Sequence, residues 1–268
     1  MRATINGASL FYTDQGHREG LPVVFVHGFP FNHAMWNGQV EATGTFCRVI
    51  TYDVRGLGES DVGDGHYTIE GHVDDLLGLL DHLAIEKTAI VGLSMGGYIT
   101  LRAIERNPER FVAAILCDTR SEADSNDTKI KRALGIKSVK EQGSRQFADT
   151  FVKGIFAEET FTRNPEAVRF IQGIIEKTSP LSIAGTLLAL ASRTDTTDSL
   201  SRITVPTLIL VGEHDATTPP SASRAMHEKI RQSVLYIIPG AAHMSNLENP
   251  AAFNEKIVTF LQEIALEV

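Results

Sequence analysis

The stretch VGLSMGGYIT, Val91 to Thr100, places one hydroxyl side chain between glycines where an apolar, strand-like run gives way to a helical pattern. It contains the pattern G-x-S-x-G from Gly92 to Gly96, and the helical sequence MGGYITLRAIERNP follows directly. A strand, this pattern and a helix in succession are typical of a sharp turn that presents a serine at the carboxyl edge of a sheet. We therefore predict that Ser94 is a nucleophile in a strained turn and that the glycines beside it make room for the neighbouring chain.

A phosphate-binding glycine turn is the alternative interpretation of this stretch. It is disfavoured because the stretch lacks the lysine of a P-loop. A serine hydroxyl, however, is a weak nucleophile unless a base takes its proton. The interpretation of Ser94 therefore requires a histidine and an acid elsewhere in the chain.

The best candidates for these two groups follow later strand-like runs. His243, in IIPGAAHMSNLENP, lies after the last such run, and Asp215, in LILVGEHDATTPP, follows the run before it. The chain order serine, acid, histidine agrees with the G-x-S-x-G turn. Glu213 and His214 are close neighbours of the predicted acid, and Asp118 is a second candidate for it.

An acyl-transfer site also needs hydrogen-bond donors for an oxyanion, which are usually backbone amides. We predict one from Met95, directly after the nucleophile, and one from Phe29 in VHGFPFNHAMW. Gly28 would let the chain approach closely there, and we expect His27 to order this loop by hydrogen bonding rather than to act as a base.

Aromatic residues of the same stretch have two possible roles. Phe31 and Trp36, together with Gly28 and Phe29, are candidates for an apolar substrate pocket, and a place in the core is an equal alternative for the aromatic ones. A further turn, YDVRGLGESD, holds Asp53, Arg55 and Ser60, which we expect to brace a loop rather than bind substrate. No spacing of His, Cys and Asp suggests a metal site.

Short Val- and Ile-rich runs with turn signals recur along the chain and predict buried strands of a mostly parallel sheet. They are PVVFVHG, CRVITYD, TAIVGL, VAAILCD, TLILVGE and VLYIIPG. Helical patterns lie between several of them, and ATINGASLFYTD predicts an antiparallel hairpin that turns at Asn6 and Gly7. Residues 119–198 lack strand-like runs, so we predict a core of residues 1–118 and 199–268 and a helical cap, or lid, of residues 119–198.

Composition limits the classes of partner. The 268 residues include 25 Lys and Arg against 33 Asp and Glu, a formal net charge of −8, without a basic block. We therefore expect neither nucleic acid nor membranes as partners. The first residues lack the basic start and apolar run of a signal peptide, and Cys47 and Cys117 lie in or beside strand-like runs. These features predict a cytoplasmic protein with two buried free thiols, and no feature marks a subunit interface.

Taken together, HGFP, DVRGLGES, GLSMGGYI, GEHDATTPP and GAAHMSNLENP make the chain resemble the α/β-hydrolase superfamily over essentially its whole length. Within it, the chain is similar to small bacterial carboxylesterases and to the 3-oxoadipate enol-lactonase group. The resemblance implies an eight-stranded core with a helical cap, Ser94 as nucleophile, Asp215 as acid and His243 as base. It also implies an oxyanion hole formed by Phe29 and Met95. Serine at the nucleophile position argues against the epoxide hydrolases and haloalkane dehalogenases, which carry aspartate there.

The sequence thus predicts a serine carboxylesterase that cleaves small esters through an acyl-enzyme and needs no cofactor. Enol-lactones or acyl-homoserine lactones are the closest alternative substrates, because a lactone is a tethered ester. A non-catalytic hydrolase-fold binding protein is a rival, and a perhydrolase activity would need no further machinery. No cluster of Arg and Lys in the recognisable motifs suggests a dicarboxylate substrate.

Overall fold

Eight strands form one sheet in the computed structural model of the protein, which describes residues 1–267. Their order across the sheet is β1-β2-β4-β3-β5-β6-β7-β8, and all pairs are parallel except β1 with β2 and β2 with β4. The strands are β1 (Arg2–Ile5), β2 (Ala8–Gly16), β3 (Leu21–Val26), β4 (Cys47–Tyr52), β5 (Thr88–Leu93), β6 (Phe111–Cys117), β7 (Thr207–Gly212) and β8 (Ser233–Ile238). This arrangement confirms the predicted mostly parallel, eight-stranded α/β sheet.

The burial of the strands explains their composition. Every residue of β5 and β7 is buried, which fits the continuous apolar runs TAIVGL and TLILVG, because helices cover the faces of a parallel sheet. In contrast, β2 alternates between buried and partly exposed residues. The predicted hairpin joins β1 and β2, and Asn6 and Gly7 have φ angles of 47° and 78°, as its tight turn requires.

Helices connect and flank the strands. They are α1 (Asn37–Thr43), α2 (Ile69–His82), α3 (Met95–Arg106), α4 (Asn126–Phe151), α5 (Thr160–Arg163), α6 (Pro165–Lys177), α7 (Pro180–Ala191), α8 (Pro220–Lys229), α9 (Ser245–Glu248) and α10 (Pro250–Glu267). Several begin at side-chain caps: the Thr68 hydroxyl, for example, accepts a hydrogen bond from the Gly71 N–H at the start of α2. Cys47 and Cys117 are free and buried, as predicted.

Between β6 and β7, helices α4 to α7 form what we call the helical segment (residues 126–191). They occupy the stretch for which the sequence predicts a cap. Gly143 interrupts α4 with a φ of 81°, so the helix is kinked there. Within residues 1–267, no single helix is long and apolar enough to cross a membrane; α6 and α7 reach that length and composition only as a pair bent by 100°.

The sheet order creates a crevice at the carboxyl ends of β3 and β5. From β3 the chain moves to β4 on one side, and it later returns to β5 on the other side, where Val26 pairs with Gly92. The loops that leave β3 and β5 therefore diverge, and ligands of open α/β sheets bind at such a point. Phe29 and Ser94 lie directly after these two strands.

Candidate active site

Ser94 occupies the turn between β5 and α3. It is a non-glycine residue with a φ of 55° and a ψ of −114°, a conformation that costs about 1–3 kcal/mol. Its N–H donates to the Cys117 carbonyl at 3.0 Å, and the Thr119 hydroxyl donates to its carbonyl at 2.8 Å. These bonds hold the strained turn against β6 and leave the Ser94 hydroxyl partly exposed at the sheet edge.

The glycines of the turn permit close approaches between backbone segments. A Cβ on Gly92 would lie 2.3 Å from the Gly96 carbonyl oxygen, and a Cβ on Gly96 would lie 2.1 Å from the Val26 carbonyl oxygen. Real Cβ atoms do not come so close to backbone oxygen. The prediction that these glycines make room for the turn is therefore confirmed.

Ser94, His243 and Asp215 meet in one hydrogen-bonded series. The Ser94 Oγ lies 2.9 Å from His243 Nε2, and His243 Nδ1 lies 2.8 Å from Asp215 Oδ2. The histidine and the aspartate are almost completely buried, with 3% and 2% of their surface exposed. Residues separated by 149 positions in the chain thus lie within hydrogen-bonding distance, as a nucleophile, its base and an orienting acid require.

The surroundings of Asp215 determine its charge and the tautomer of His243. Burial alone would raise the pKa of Asp215, but the charge of His243 and the hydrogen bonds from His243 and Thr218 hold it below its usual range. Asp215 Oδ1 accepts the N–H groups of Thr217 and Thr218 at 2.8 and 2.9 Å, and Oδ2 accepts the Thr218 hydroxyl at 2.7 Å. An ionised carboxylate only accepts, so Nδ1 of His243 must carry the proton and Nε2 is free to accept from Ser94.

Sequence analysis did not identify Thr217 and Thr218 as supports of the acid. A signal was present, because Asp side chains commonly accept the N–H two residues along the chain, and DATTPP offers that geometry. The threonines fix the carboxylate in one orientation, so that Oδ2 points to the imidazole of His243.

The loop that carries His243 is anchored to the helical segment. The His243 N–H donates to the Ile155 carbonyl at 3.0 Å. Glu248, in α9, accepts the Ala242 N–H with one oxygen, and with the other it accepts the Ala157 N–H and the Thr160 hydroxyl, at 2.6 to 2.7 Å. Hydrogen bonds to the helical segment therefore fix the backbone beside His243. Sequence analysis did not find this link between distant stretches of the chain.

Two backbone N–H groups that follow β3 and β5 are unpaired among the described residues. Within the described chain, neither the Phe29 N–H nor the Met95 N–H donates to a protein acceptor, whereas the Ser94, Gly97 and Tyr98 N–H groups do. Met95 is the first residue of α3, where N–H groups have no partner in the helix and the helix dipole favours negative charge. These are the two donors that the sequence assigns to an oxyanion.

His27 holds the loop that contains Phe29. Its side chain is fully buried; Nδ1 lies 2.8 Å from the Gly28 carbonyl, and Nε2 accepts the Val54 N–H at 2.9 Å. Burial lowers the pKa of His27, so the ring stays neutral, with the proton on Nδ1. With both nitrogens occupied, His27 orders the loop and is not free to act as a base, in agreement with the sequence-based expectation.

The predicted substrate pocket needs one correction. Trp36 is fully buried in the core, with its ring centroid 5.2 Å from that of Phe25 and 6.5 Å from that of Phe253, so the prediction that it lines a pocket is wrong. Its ring packs between Phe25 of β3 and Phe253 of α10. Phe31 is buried as well, but its ring faces Phe151 of α4, at the boundary between sheet and helical segment.

Gly28 is also buried and lies against this boundary. A Cβ there would lie 3.1 Å from the Phe31 ring and 3.2 Å from Leu93, so the glycine allows the Phe29 loop to pack tightly. The ring of Phe29 in turn contacts Phe147 and Phe151 of α4, with centroids 6.2 and 5.8 Å apart.

The other candidate acids lie in different surroundings. Asp118 is fully buried, and it accepts the Gly212 N–H at 2.8 Å and the hydroxyl of Ser245. Burial and the charge of Asp215 raise the pKa of Asp118 well above its usual range. Asp118 thus connects the end of β7 to the start of α9, and Asp215, not Asp118, is the carboxylate partner of His243. Glu213 and His214 are exposed, and Glu213 accepts the Gly240 N–H.

The turn after β4 is braced, as expected. Asp53 is fully buried and accepts the His33 and Glu59 N–H groups, each at 2.7 Å. Ser60 donates to the Asp53 carbonyl at 2.6 Å. Arg55 does not pair with Asp53 but with Asp75 of α2, through two bonds of 2.6 and 2.7 Å.

Comparisons with known proteins show what the chain is similar to. The family described as alpha/beta hydrolase fold matches residues 22–250. An esterase structure from Thermogutta terrifontis superposes with a TM-score of 0.94 at 36% identity, covering 99% of this chain and 98% of that one. The protein is 30% identical to 3-oxoadipate enol-lactonase 2 of Acinetobacter baylyi, over 95% of this chain and 93% of that one. It is 31% identical to a putative non-heme chloroperoxidase of Synechocystis sp., over 94% and 95% of the two chains.

Proposed function

The chain belongs to the α/β-hydrolase fold family, and within it we propose that this enzyme is a serine hydrolase that cleaves small carboxylic esters through an acyl-enzyme. The observation that carries the proposal is the series of hydrogen bonds from Ser94 through His243 to Asp215, at 2.9 and 2.8 Å. Such a series activates a hydroxyl that is otherwise a weak nucleophile.

In the first half of the reaction, His243 Nε2 takes the proton of the Ser94 hydroxyl as its oxygen attacks the ester carbonyl. The carbonyl oxygen gains negative charge, and the N–H groups of Phe29 and Met95 donate to it. His243, now positively charged and stabilised by ionised Asp215, returns the proton to the leaving alcohol. The products of this half are the free alcohol and an ester of the Ser94 oxygen.

In the second half, His243 takes a proton from water, and the water oxygen attacks the acyl-enzyme carbonyl. The same amides stabilise the second oxyanion, and the proton then returns to Ser94 as the acid departs. Every proton is balanced within this cycle, and the residues supply each acid, base and donor that it needs.

The substrate class within this proposal is a small ester, and a lactone is the second candidate. The 36% identity to the Thermogutta terrifontis esterase supports the first, and the 30% identity to an enol-lactonase supports the second. A lactone carbonyl would undergo the same two steps, except that the leaving alcohol would stay attached to the acyl group.

The test measures turnover of p-nitrophenyl esters of increasing chain length and of a lactone panel. Ser94→Ala and His243→Ala are each expected to lower kcat by about 10⁴- to 10⁶-fold. Ser201→Ala, at an exposed serine, and His66→Ala, at a histidine whose side chain is 86% exposed, serve as matched controls that retain activity. A folded Ser94→Ala protein that hydrolyses the esters at the wild-type rate would contradict the proposal. Labelling of Ser94 by a fluorophosphonate without any turnover would instead favour a binding protein.

A further inference from the structure

A cavity of about 290 Å³ lies between the helical segment and the sheet. This volume is at the small end of the range of ligand pockets. Four cationic side chains line it, Arg120, Lys131, Arg132 and Arg193, against the single carboxylate of Asp124. A wall with so many cations is unusual in a chain with a net charge of −8. A larger cavity of about 490 Å³ lies between α4 and α6, and neither cavity is lined by Ser94, Asp215 or His243.

Asp124 neutralises only two of the four cations. Its Oδ2 accepts from Arg132 Nε at 2.7 Å, and its Oδ1 accepts from Arg193 Nη1. Arg193 is further fixed over the ring of Tyr98, 4.2 Å from the ring centroid. Arg132 and Arg193 therefore belong to the frame of the cavity, and their positions do not depend on a ligand.

The remaining two cations lack carboxylate partners. Across residues 1–267, neither Arg120 nor Lys131 forms an ion pair, and the neighbouring carboxylate of Glu122 neither lines the cavity nor pairs with a cation. Arg120 Nη2 donates to the Thr217 carbonyl at 3.1 Å, but its Nε is buried without an acceptor. The Arg120 guanidinium is therefore held at one Nη by a carbonyl, while its charge has no carboxylate partner among the described residues.

Residues that line the cavity contact residues of the candidate active site. Thr217 lines it, and the Thr217 N–H donates to Asp215. Phe147 and Phe151 also line it, and both rings contact Phe29, whose N–H is a proposed oxyanion donor. A substrate with its carbonyl at Ser94 therefore has this cavity next to it.

We propose that the cavity is an anion subsite and that the preferred substrates carry a carboxylate at the end of the acyl chain remote from the scissile bond. Arg120 supplies a planar pair of donors that matches a carboxylate, and exposed Lys131 adds positive charge. The rings of Phe147 and Phe151 contact the methylene groups between carboxylate and ester. This inference rests on the proposed hydrolase function. The fold assembles the cationic cluster from separate stretches of the chain, and for this reason the sequence motifs do not contain it.

The test compares two esters with the same leaving group, p-nitrophenyl hemiglutarate, which carries a terminal carboxylate, and p-nitrophenyl pentanoate, which does not. In Arg120→Gln, the ratio of kcat/KM for hemiglutarate to that for pentanoate is expected to fall about 10- to 100-fold, mainly through KM. In Lys131→Gln the expected fall is about 2- to 5-fold, because Lys131 is exposed. Lys137→Gln removes the same charge from the same helix outside the cavity and is expected to leave the ratio unchanged.

An unchanged ratio in both Arg120→Gln and Lys131→Gln would overturn the subsite. If Arg120→Gln does not fold, Arg120→Lys keeps the charge but loses the planar donors, and the same fall in the ratio is expected. Turnover of pentanoate by the wild type tests the hydrolase function independently. If the wild type hydrolyses neither ester, calorimetric titration with glutarate decides the subsite: binding that Arg120→Gln weakens supports it, and equal or absent binding overturns it.

Discussion

Replacing Asp215 by asparagine changes the hydrogen-bonded series at its buried end while keeping the shape of the side chain. The amide oxygen of asparagine can still accept the Thr217 and Thr218 N–H groups that bind Oδ1. The amide nitrogen then stands where Oδ2 accepted from His243 Nδ1, so two donors face each other. The imidazole relieves this conflict by moving its proton to Nε2, and it then has no lone pair for Ser94.

The expected loss of kcat in Asp215→Asn follows from the charge and the tautomer of His243. His243 becomes positively charged in the transition state, and two opposite unit charges about 4 Å apart interact by about 4 kcal/mol at an effective dielectric constant near 20. At 1.36 kcal/mol per tenfold change, losing this attraction lowers the rate about 10³-fold. The wrong tautomer adds to the loss, and we expect kcat to fall about 10³- to 10⁴-fold in total.

The assay is steady-state hydrolysis of p-nitrophenyl butyrate, with thermal unfolding to verify that each variant is folded. Asp118→Asn is the matched control, since it changes a second buried aspartate whose carboxylate bonds Gly212 and Ser245 and not His243. Its amide oxygen can accept from Gly212, and its amide nitrogen can donate to Ser245, so a much smaller loss is expected. A folded Asp215→Asn protein within tenfold of wild-type kcat, or an equal loss in Asp118→Asn, would contradict this role of Asp215.

Three further predictions concern the framework. Trp36→Ala is expected to cost about 3–5 kcal/mol of unfolding free energy and to leave kcat for small esters unchanged, because the ring is in the core; urea unfolding and turnover at low temperature check this. Gly92→Ala is expected to destabilise by about 1–3 kcal/mol or more, because its Cβ would lie 2.3 Å from the Gly96 oxygen. Gly173→Ala in α6, which meets no atom within 4 Å, is expected to raise the melting temperature instead, and the reverse order would contradict the packing argument. The pKa of Asp118 is raised in the folded state, so the folded protein holds this proton more tightly than the unfolded chain does. The stabilisation that results is present below the unfolded pKa and is lost as pH rises through the folded pKa. The stability of Asp118→Asn relative to wild type should therefore increase from pH 5 to pH 8 in urea unfolding, and a constant difference would be inconsistent with that shift.

The fold was predictable because its signals are local. Buried strands such as TAIVGL and TLILVG show as continuous apolar runs, and the Asn6-Gly7 hairpin shows as one dipeptide between alternating residues. The G-x-S-x-G turn is equally local, since its steric demand falls on glycines within a few positions of Ser94. The order of strands then brings Ser94, Asp215 and His243 to one edge of the sheet.

The features that were not predictable depend on contacts between distant stretches of the chain, and no local sequence pattern encodes such contacts. The composition of HGFPFNHAMW does not distinguish a pocket residue from a core residue, and Trp36 is in the core because α10 brings Phe253 against it. Glu248 binds Ala157, 91 positions away, and no short motif reports such a link. Arg120 and Lys131 are likewise unremarkable in the sequence until the fold places the loop after β6 and α4 at the same cavity.

The proposed reaction depends on His243 making the Ser94 oxygen a nucleophile that carries the acyl group between the two halves of the reaction. The most direct measurement is mass spectrometry of the intact protein, and of its peptides, quenched with acid during turnover of p-nitrophenyl butyrate. We predict a butyryl adduct on the peptide that contains Ser94, absent from Ser94→Ala and strongly reduced in His243→Ala. Full turnover with no adduct on Ser94, or an adduct that forms as readily without His243, would contradict it.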